Sequence, residues 1–151
     1  MFDKLTEKAR QSILKAQEYV RSKEQQDVQI AHLLKGMMDV EDSIVVLLLK
    51  KMSIDIGELA NRLSLITETY PKVYGGKSHG SHLSKSASKA IQAAQSLAKD
   101  FGDEYVALDM ILAGIFTVKI DKAAKLLTSM GANQKDLGGA IKELRKGKNV
   151  N

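Results

Sequence analysis

Apolar residues in this sequence follow one pattern that occurs twice. The two occurrences align without a gap from the first matched pair to the last, and they keep apolar residues and a glycine in one register. Identical pairs include Leu5 with Leu83, Ala9 with Ala87, Ile13 with Ile91, Val28 with Val106, Leu34 with Leu112, Gly36 with Gly114, Met52 with Met130 and Leu59 with Leu137. We interpret the pattern as an internal duplication, since its period is longer than the ~20–50 residues that are typical of repeat arrays.

Within each copy, apolar residues recur at spacings of three and four, which is typical of amphipathic helices. The first such stripe consists of Leu5, Ala9, Ile13, Ala16 and Val20. Four helices are predicted in each copy. The first carries an apolar stripe over 5–20 in one copy and over 87–98 in the other. The remaining three cover 31–38, 43–52 and 55–67 in the first copy, and 109–116, 121–130 and 133–146 in the second.

Residues with suitable side chains stand at the ends of these helices. Thr6 and Ser84 stand at the start of the first helix of each copy, and Asp55 and Asn133 stand at the start of the fourth. Their side-chain oxygens can accept a hydrogen bond from a free backbone N–H of the first turn. Gly102 follows the first helix of the second copy, where a residue with positive φ often ends a helix.

The stretch between the copies, Glu68 to His82, has a different composition, with one proline and three glycines. This composition is typical of a mobile linker. The predicted organisation is a first repeat over 1–67, a linker over 68–82, a second repeat over 83–146 and the start of a further linker over 147–151.

Strand signals are nearly absent, so the predicted fold class is all-α. It consists of two tandem four-helix repeats related by a pseudo-two-fold axis. Because neither repeat is expected to bury its apolar face alone, we expect the two to pack as one globular domain.

The composition excludes several classes of protein. The chain has 151 residues and no cysteine, which excludes a disulfide scaffold, a cysteine zinc site and a thiol nucleophile. Its longest apolar run, Ile44 to Leu49, is far shorter than the ~20 residues that span a bilayer. The N-terminus has neither a secretory nor a transit-peptide pattern. We predict a cytoplasmic protein with no membrane partner.

The net charge is +5, and the basic excess gathers near the end of the chain, at Lys142, Arg145, Lys146 and Lys148. A basic face can bind nucleic acid. Lys and Glu alternate along most of the sequence, however, and a short basic end is more typical of a solvated helix terminus or linker. We therefore interpret these residues as a solvated end and do not expect nucleic acid as a partner.

No motif in the sequence supports catalysis. The stretch Gly75–Ser78 resembles the end of a phosphate-binding loop, but Pro71 occupies the place of a required glycine and no strand precedes it. His79 and His82 lack further metal ligands nearby. His32 lies in an apolar helix, where a buried, hydrogen-bonded histidine is expected. We predict that this chain is not an enzyme and holds no cofactor or metal.

A binding surface is the remaining candidate for function. Leu97, Phe101, Tyr105 and Met110 form a set that can line a groove in the second copy. Each of them also fits a core position, and periodicity alone does not separate the two roles. Where such residues are exposed, they suit apolar segments of another chain, because methionine adapts its shape to different partners.

Four stretches carry a resemblance to a known family. They are Phe2-Asp-Lys-Leu-Thr-Glu-Lys-Ala, Ala31-His-Leu-Leu, Tyr70-Pro-Lys-Val and Gly102-Asp-Glu-Tyr-Val. Together with the duplication, they make the chain similar to the Clp N-terminal domain over essentially its whole length. The opening stretch resembles the disaggregase branch of that family more than the protease-associated branches.

The resemblance implies a recruitment domain of a hexameric AAA+ chaperone of the Hsp100 type. Such a domain binds unfolded or aggregated polypeptides through an apolar groove and delivers them to the ring. ATP and Mg²⁺ are then expected in AAA+ modules that this chain does not contain. The full-length protein is expected to be a homohexamer, and the isolated domain a monomer. The alternative is an adaptor-docking domain of a protease-associated unfoldase, with an adaptor protein as its partner.

The resemblance also implies site residues. The family's polar positions and its apolar groove positions correspond to Thr6, Asp103 and Asp109, and to Ala93, Leu97 and Met110, respectively. Asp109 stands where Glu is more common, which shortens its reach. Ala93 replaces a larger aliphatic residue, which makes the groove shallower. Weaker substrate binding than in relatives is therefore expected.

One ligand of the family is not expected here. Relatives that bind phosphoarginine carry a Glu just before the His of the first copy. Ala31 occupies that place in this sequence. One half of the charge pairing is therefore absent.

Overall fold

The computed structural model describes residues 4–74 and 82–146, and within these ranges the chain forms eight α-helices and no β-strand. The helices are α1 (Glu7–Ser22), α2 (Ile30–Asp39), α3 (Ile44–Lys51), α4 (Ile56–Thr67), α5 (Lys85–Asp100), α6 (Leu108–Thr117), α7 (Lys122–Ser129) and α8 (Gln134–Arg145). The all-α prediction is confirmed, and the predicted helix ends differ from the observed ones by at most two residues.

The duplicated sequence produces a duplicated structure. α1 and α5 each have 16 residues, α2 and α6 have 10, α3 and α7 have 8, and α4 and α8 have 12. Corresponding helices begin at positions that match in the sequence alignment. The register of the repeat is therefore kept through all four helix pairs.

The predicted helix caps are confirmed. The side-chain oxygens of Thr6, Ser84, Asp55 and Asn133 each accept a hydrogen bond from the backbone N–H three residues later, at 2.8–3.2 Å. Each cap thus satisfies one N–H that the helix itself leaves free. Gly102 follows α5 with a φ of 77°, a conformation that glycine adopts at low cost.

Close packing of α1 on α2 and of α5 on α6 explains the glycine that both copies share. A Cβ atom on Gly36 would lie 2.3 Å from the backbone oxygen of Ser12, and one on Gly114 would lie 2.2 Å from that of Ala90. No side chain fits at such distances. Glycine is therefore required for the helix backbones to approach this closely.

Backbone contacts cross between the two repeats. The Thr6 N–H donates to the Val106 oxygen at 3.1 Å, and the Val28 N–H donates to the His82 oxygen at 2.9 Å. The start of each repeat therefore pairs with the segment before the second helix of the other. One cluster of buried apolar side chains extends through all eight helices. The two repeats thus pack as one body, as predicted.

The first part of the predicted linker is held against the first repeat. The Val73 N–H donates to the Glu24 backbone oxygen at 2.7 Å. The half-buried Tyr70 ring lies 5.4 Å from the His32 ring, measured between centroids. Residues 68–74 of the predicted linker thus contact the first repeat, and the mobility of the linker stays a prediction.

Residues 75–81 and 147–151 lie outside the described ranges, together with the Gly75–Ser78 motif, His79 and Lys148. Within the described part of the chain, no helix has the length and apolar character needed to cross a membrane. The same residues contain no group of three or more His, Cys, Asp or Glu side chains placed to hold a metal ion.

Candidate functional site

A cavity of about 170 Å³ opens between α5, α6 and α8, and its walls are mainly apolar. We call it the groove; its lining residues are Leu97, Phe101, Met110, Ala113, Thr117, Gln134, Leu137, Gly138 and Ile141. The groove is smaller than the ~300–1,000 Å³ pockets that hold drug-sized ligands. Its size suits an apolar side chain rather than a cofactor.

Helical periodicity brings the lining residues together. Leu97 and Phe101 lie one turn apart at the end of α5, and Leu137 and Ile141 lie one turn apart on α8. Met110, in the first turn of α6, is only 1 % exposed and forms part of the floor. Phe101 is 39 % exposed. The groove therefore combines a packed floor with an exposed aromatic rim.

A buried ion pair lies next to the groove. Arg145 is the last residue of α8, one turn after Ile141. Its Nε donates to Asp109 Oδ2 at 2.7 Å and its Nη2 to Asp109 Oδ1 at 2.8 Å, while its Nη1 donates to Asp103 Oδ1 at 2.9 Å. The Asp109 side chain has no exposed surface. Such two-point pairing of guanidinium with carboxylate is among the stronger polar contacts in proteins.

The electrostatics of this cluster favour its charged form. Hydrogen bonding to Asp109 raises the pKa of Arg145 above its already high usual value, so the guanidinium stays protonated. The second Asp103 oxygen, Oδ2, is buried and has no hydrogen-bond partner within the described residues. The cluster thus brings two carboxylates to one cation beside the groove.

Arg145 also contacts the rim of the groove. Its guanidinium carbon lies 5.0 Å from the centre of the Phe101 ring, a distance at which a cation and an aromatic face attract each other. The same side chain therefore fixes the start of α6, the loop after α5 and the exposed ring at the groove rim.

The structure brings most of the predicted site residues together. Leu97 and Met110 line the groove, and Asp103 and Asp109 meet through Arg145. The other two predicted residues take separate places. Ala93 is half-buried on α5, one turn before Leu97, and does not line the groove.

Thr6 performs a structural role in these contacts. Its hydroxyl accepts from the Ala9 N–H at 3.2 Å, and its own N–H donates to the Val106 oxygen. Thr6 therefore contacts the backbone between Asp103 and Asp109. Among the hydrogen bonds of the described residues, none joins Thr6 to either carboxylate.

Arg145 is the site residue that the sequence interpretation missed. It was assigned to a solvated basic end, but its side chain is only 17 % exposed and pairs with two carboxylates, so that interpretation is wrong for this residue. Arg145 aligns with Thr67, a position that ends the fourth helix of the first copy.

The first copy carries a neutral cluster at the matching place. The Gln25 Nε2 donates to the Thr67 backbone oxygen at 2.6 Å, and Gln25 Oε1 lies 2.7 Å from His32 Nε2. The Gln29 N–H donates to His32 Nδ1 at 3.0 Å, so Nε2 carries the ring proton. Burial lowers the pKa of His32 to about 4. This histidine is a satisfied core residue, as predicted.

Comparison with known proteins identifies the fold family. The family model of the Clp repeat (R) N-terminal domain matches residues 4–130. The chain belongs to this family. The resemblance predicted from the four sequence stretches and the duplication is thus confirmed.

Curated relatives of this Clp N-terminal domain include ClpB chaperones. The chain is 33 % identical to chaperone protein ClpB of Bacteroides thetaiotaomicron over 149 residues, which cover 99 % of the chain and 17 % of the relative. It is 36 % identical to ClpB of Porphyromonas gingivalis over 145 residues, which cover 96 % of the chain and 16 % of the relative. The chain is therefore similar to part of these ClpB chaperones and spans about a sixth of their length.

Solved structures share the same architecture. The N-terminal domain of ClpD from Arabidopsis thaliana superposes with a TM-score of 0.71 at 25 % identity, over 96 % of this chain and 97 % of that one. The Hsp104 N-terminal domain from Candida albicans gives a TM-score of 0.79 at 18 % identity, over 99 % and 96 %. At 18 % identity, the similarity to the Hsp104 domain shows a shared fold and no more.

Proposed function

We propose that this domain recruits unfolded or aggregated polypeptides for a ClpB-like ATP-dependent disaggregase by taking their apolar side chains into the groove. The observation that supports the proposal is an open apolar cavity on a domain whose other buried apolar side chains form one packed core. In the cytoplasm, the remaining protein would form a homohexameric AAA+ ring that binds ATP and Mg²⁺ and receives the captured chain.

The proposed binding is weak and tolerant of sequence. Burying one aliphatic or aromatic side chain contributes roughly 1.5–3 kcal/mol, and a groove of about 170 Å³ has little room for more. Such contacts release readily, which suits a domain that passes its cargo on. Leu97, Met110 and Ile141 supply the apolar contact in this account.

Asp103 and Asp109 have an indirect role in the proposal. Both carboxylates are engaged by Arg145, which in turn lies against Phe101 at the groove rim. We assign them to positioning the rim rather than to contact with the captured chain. Thr6 positions the same segment through its bond to Val106.

A binding assay with one matched pair of variants tests this function. The probe is a fluorescently labelled protein that reduction and alkylation keep unfolded, and its anisotropy is followed as the domain is added. Leu97→Asp places a charge in the groove wall. Leu65→Asp makes the same change on α4, at a side chain that is 69 % exposed and outside the groove.

We expect Leu97→Asp to abolish binding and Leu65→Asp to preserve it. Binding by the unchanged domain should persist at high salt, because burial of apolar surface is little screened by ions. Equal binding by the two variants would contradict the proposal. Selective binding of one folded adaptor, with no affinity for the unfolded probe, would replace it with the adaptor-docking function.

A further inference from the structure

A second and larger cavity, of about 470 Å³, lies between the end of α6, α7 and the start of α8. We call it the α7 pocket; its lining residues are Phe116, Lys119, Ala124, Lys125, Thr128, Ser129, Asn133 and Gln134. We propose that the α7 pocket is a separate docking site for an acidic peptide segment with an apolar anchor. Its volume falls within the ~300–1,000 Å³ that is typical of ligand pockets.

The floor of the α7 pocket is apolar. Phe116 is 4 % exposed and Ala124 is 3 % exposed, and both contribute to the lining. Ile120, next to Lys119 in the sequence, is 79 % exposed, which makes it the most exposed of the large apolar side chains in the described chain. Ile120 does not itself line the pocket, so Phe116 and Ala124 form the apolar surface on which the anchor of a bound peptide can be removed from water.

The charged groups that line the α7 pocket are all positive. Lys119 and Lys125 are exposed, and neither forms an ion pair within residues 4–74 and 82–146. No Asp or Glu lines the pocket. Two carboxylates lie at the flanking helix starts and are hydrogen-bonded there: Asp121 accepts from the backbone N–H of Ala123, and Asp136 accepts from the side-chain amide of Asn133, which lines the pocket.

Comparison of the two repeats shows that the fold does not require these charges. Lys119 and Lys125 align with Glu41 and Leu47 of the first repeat. The matching helices nevertheless have the same lengths and the same register. The positive rim is therefore a property of the second repeat's surface, and it complements a negatively charged partner.

These features select an acidic peptide over other occupants. A peptide with one apolar side chain flanked by carboxylates places the apolar group on Phe116 and Ala124 and the carboxylates near Lys119 and Lys125. The lysines then steer and select the peptide, while the floor holds it. Since Gln134 lines both cavities, a peptide in the α7 pocket lies beside the groove without filling it.

Two synthetic peptides test this inference. They share one Phe anchor and differ only in the flanking residues, which are Glu in the first and Lys in the second. The double variant Lys119→Glu/Lys125→Glu reverses the charge of the rim. The control Lys50→Glu/Lys51→Glu makes the same change at two exposed lysines that end α3 in the first repeat.

We expect the unchanged domain to bind the Glu peptide about tenfold more tightly than the Lys peptide, since two exposed ion pairs each contribute modestly. The rim variant should reverse this preference, and the control should keep it. Equal binding of both peptides would overturn the inference. So would an unchanged preference in the rim variant, or binding of a single-stranded oligonucleotide without binding of the Glu peptide.

A groove variant separates this inference from the proposed function. Leu97→Asp should leave binding of the Glu peptide unchanged, because Leu97 does not line the α7 pocket. Loss of Glu-peptide binding in this variant would place the peptide in the groove and overturn the inference alone. Loss of unfolded-protein binding in Leu97→Asp, with the Glu peptide still bound, supports both sites.

Discussion

Arg145 and the fully buried Asp109 are joined by two parallel contacts, from Nε to Oδ2 at 2.7 Å and from Nη2 to Oδ1 at 2.8 Å. The pair connects the last residue of α8 to the first turn of α6. Because α6 and α8 are two of the three walls of the groove, this ion pair holds the groove together at one end.

Removing the cation should destabilise the domain. In Arg145→Met, the Asp109 carboxylate remains buried without its partner, and we expect the free energy of unfolding to fall by about 3 kcal/mol. Urea unfolding followed by circular dichroism measures the change. The double variant Arg145→Met/Asp109→Leu also removes the buried anion, so it should recover much of the loss. Equal stability of the single and double variants would contradict the buried-charge explanation.

Glycine at the crossing of α5 and α6 should tolerate no side chain. Gly114→Ala places a Cβ atom 2.2 Å from the Ala90 backbone oxygen, so the helices must separate. We expect a loss of about 3 kcal/mol in unfolding free energy. Gly139→Ala on α8 is the matched control, since no atom other than those of its chain neighbours and its own helix backbone lies within 4 Å of its Cβ position. That change should stabilise the domain by up to about 1 kcal/mol through helix propensity, and thermal melting distinguishes the two.

Stability should decrease as the pH falls from about 6.5 to about 4 because of His32. Burial, aided by Lys35 and Lys23, lowers the pKa of His32 from 6.5 to about 4 in the folded state. In that window the unfolded chain binds a proton that the folded domain does not, which favours unfolding by up to about 3 kcal/mol. Urea unfolding at several pH values measures the slope.

A substitution taken from the second repeat provides the control for this pH effect. His32 aligns with Met110, so His32→Met places there the residue that the other repeat uses. The variant should lose the part of the slope between pH 6.5 and 5, where few carboxylates titrate. A slope that survives the substitution would assign the pH dependence to other groups.

Enlarging Ala93 should strengthen binding in the groove. Ala93 is half-buried and does not itself line the groove, but it lies one turn before the lining residue Leu97 on the same face of α5. Ala93→Leu extends the apolar wall, and we expect unfolded protein to bind several-fold more tightly, which corresponds to ~1 kcal/mol. Ser96→Leu adds the same side chain at an exposed position of α5 that does not line the groove, and it should leave affinity unchanged. Equal gains in affinity in the two variants would instead indicate nonspecific apolar binding to the surface of α5.

Much of the fold could be predicted because each helix of one copy can be compared with its counterpart in the other. A stripe or cap that occurs in both copies, such as Thr6 with Ser84, has two independent observations behind it. The close approach at Gly36 and Gly114 was also visible as a shared glycine, although its cause required the neighbouring helix backbone.

The site was less predictable because its residues meet only in three dimensions. Asp103 and Arg145 are far apart in sequence, and basic residues near a helix end are usually solvated. The contacts of the linker could not be predicted for a related reason: Tyr70 packs on His32, a contact that local composition does not encode. Which apolar residues line the groove and which belong to the core likewise depends on how α8 packs against α6.

The most direct test of the central claim is the ¹³C methyl spectrum of Met110 while an alkylated, permanently unfolded protein is added to the domain. Met110 lies on the groove floor and is otherwise shielded from solvent. The account predicts that its methyl signal shifts in a saturable way, that it does so at low and at high salt, and that the shift is absent in Leu97→Asp. A Met110 signal that stays unchanged while the unfolded protein binds elsewhere on the domain would contradict it.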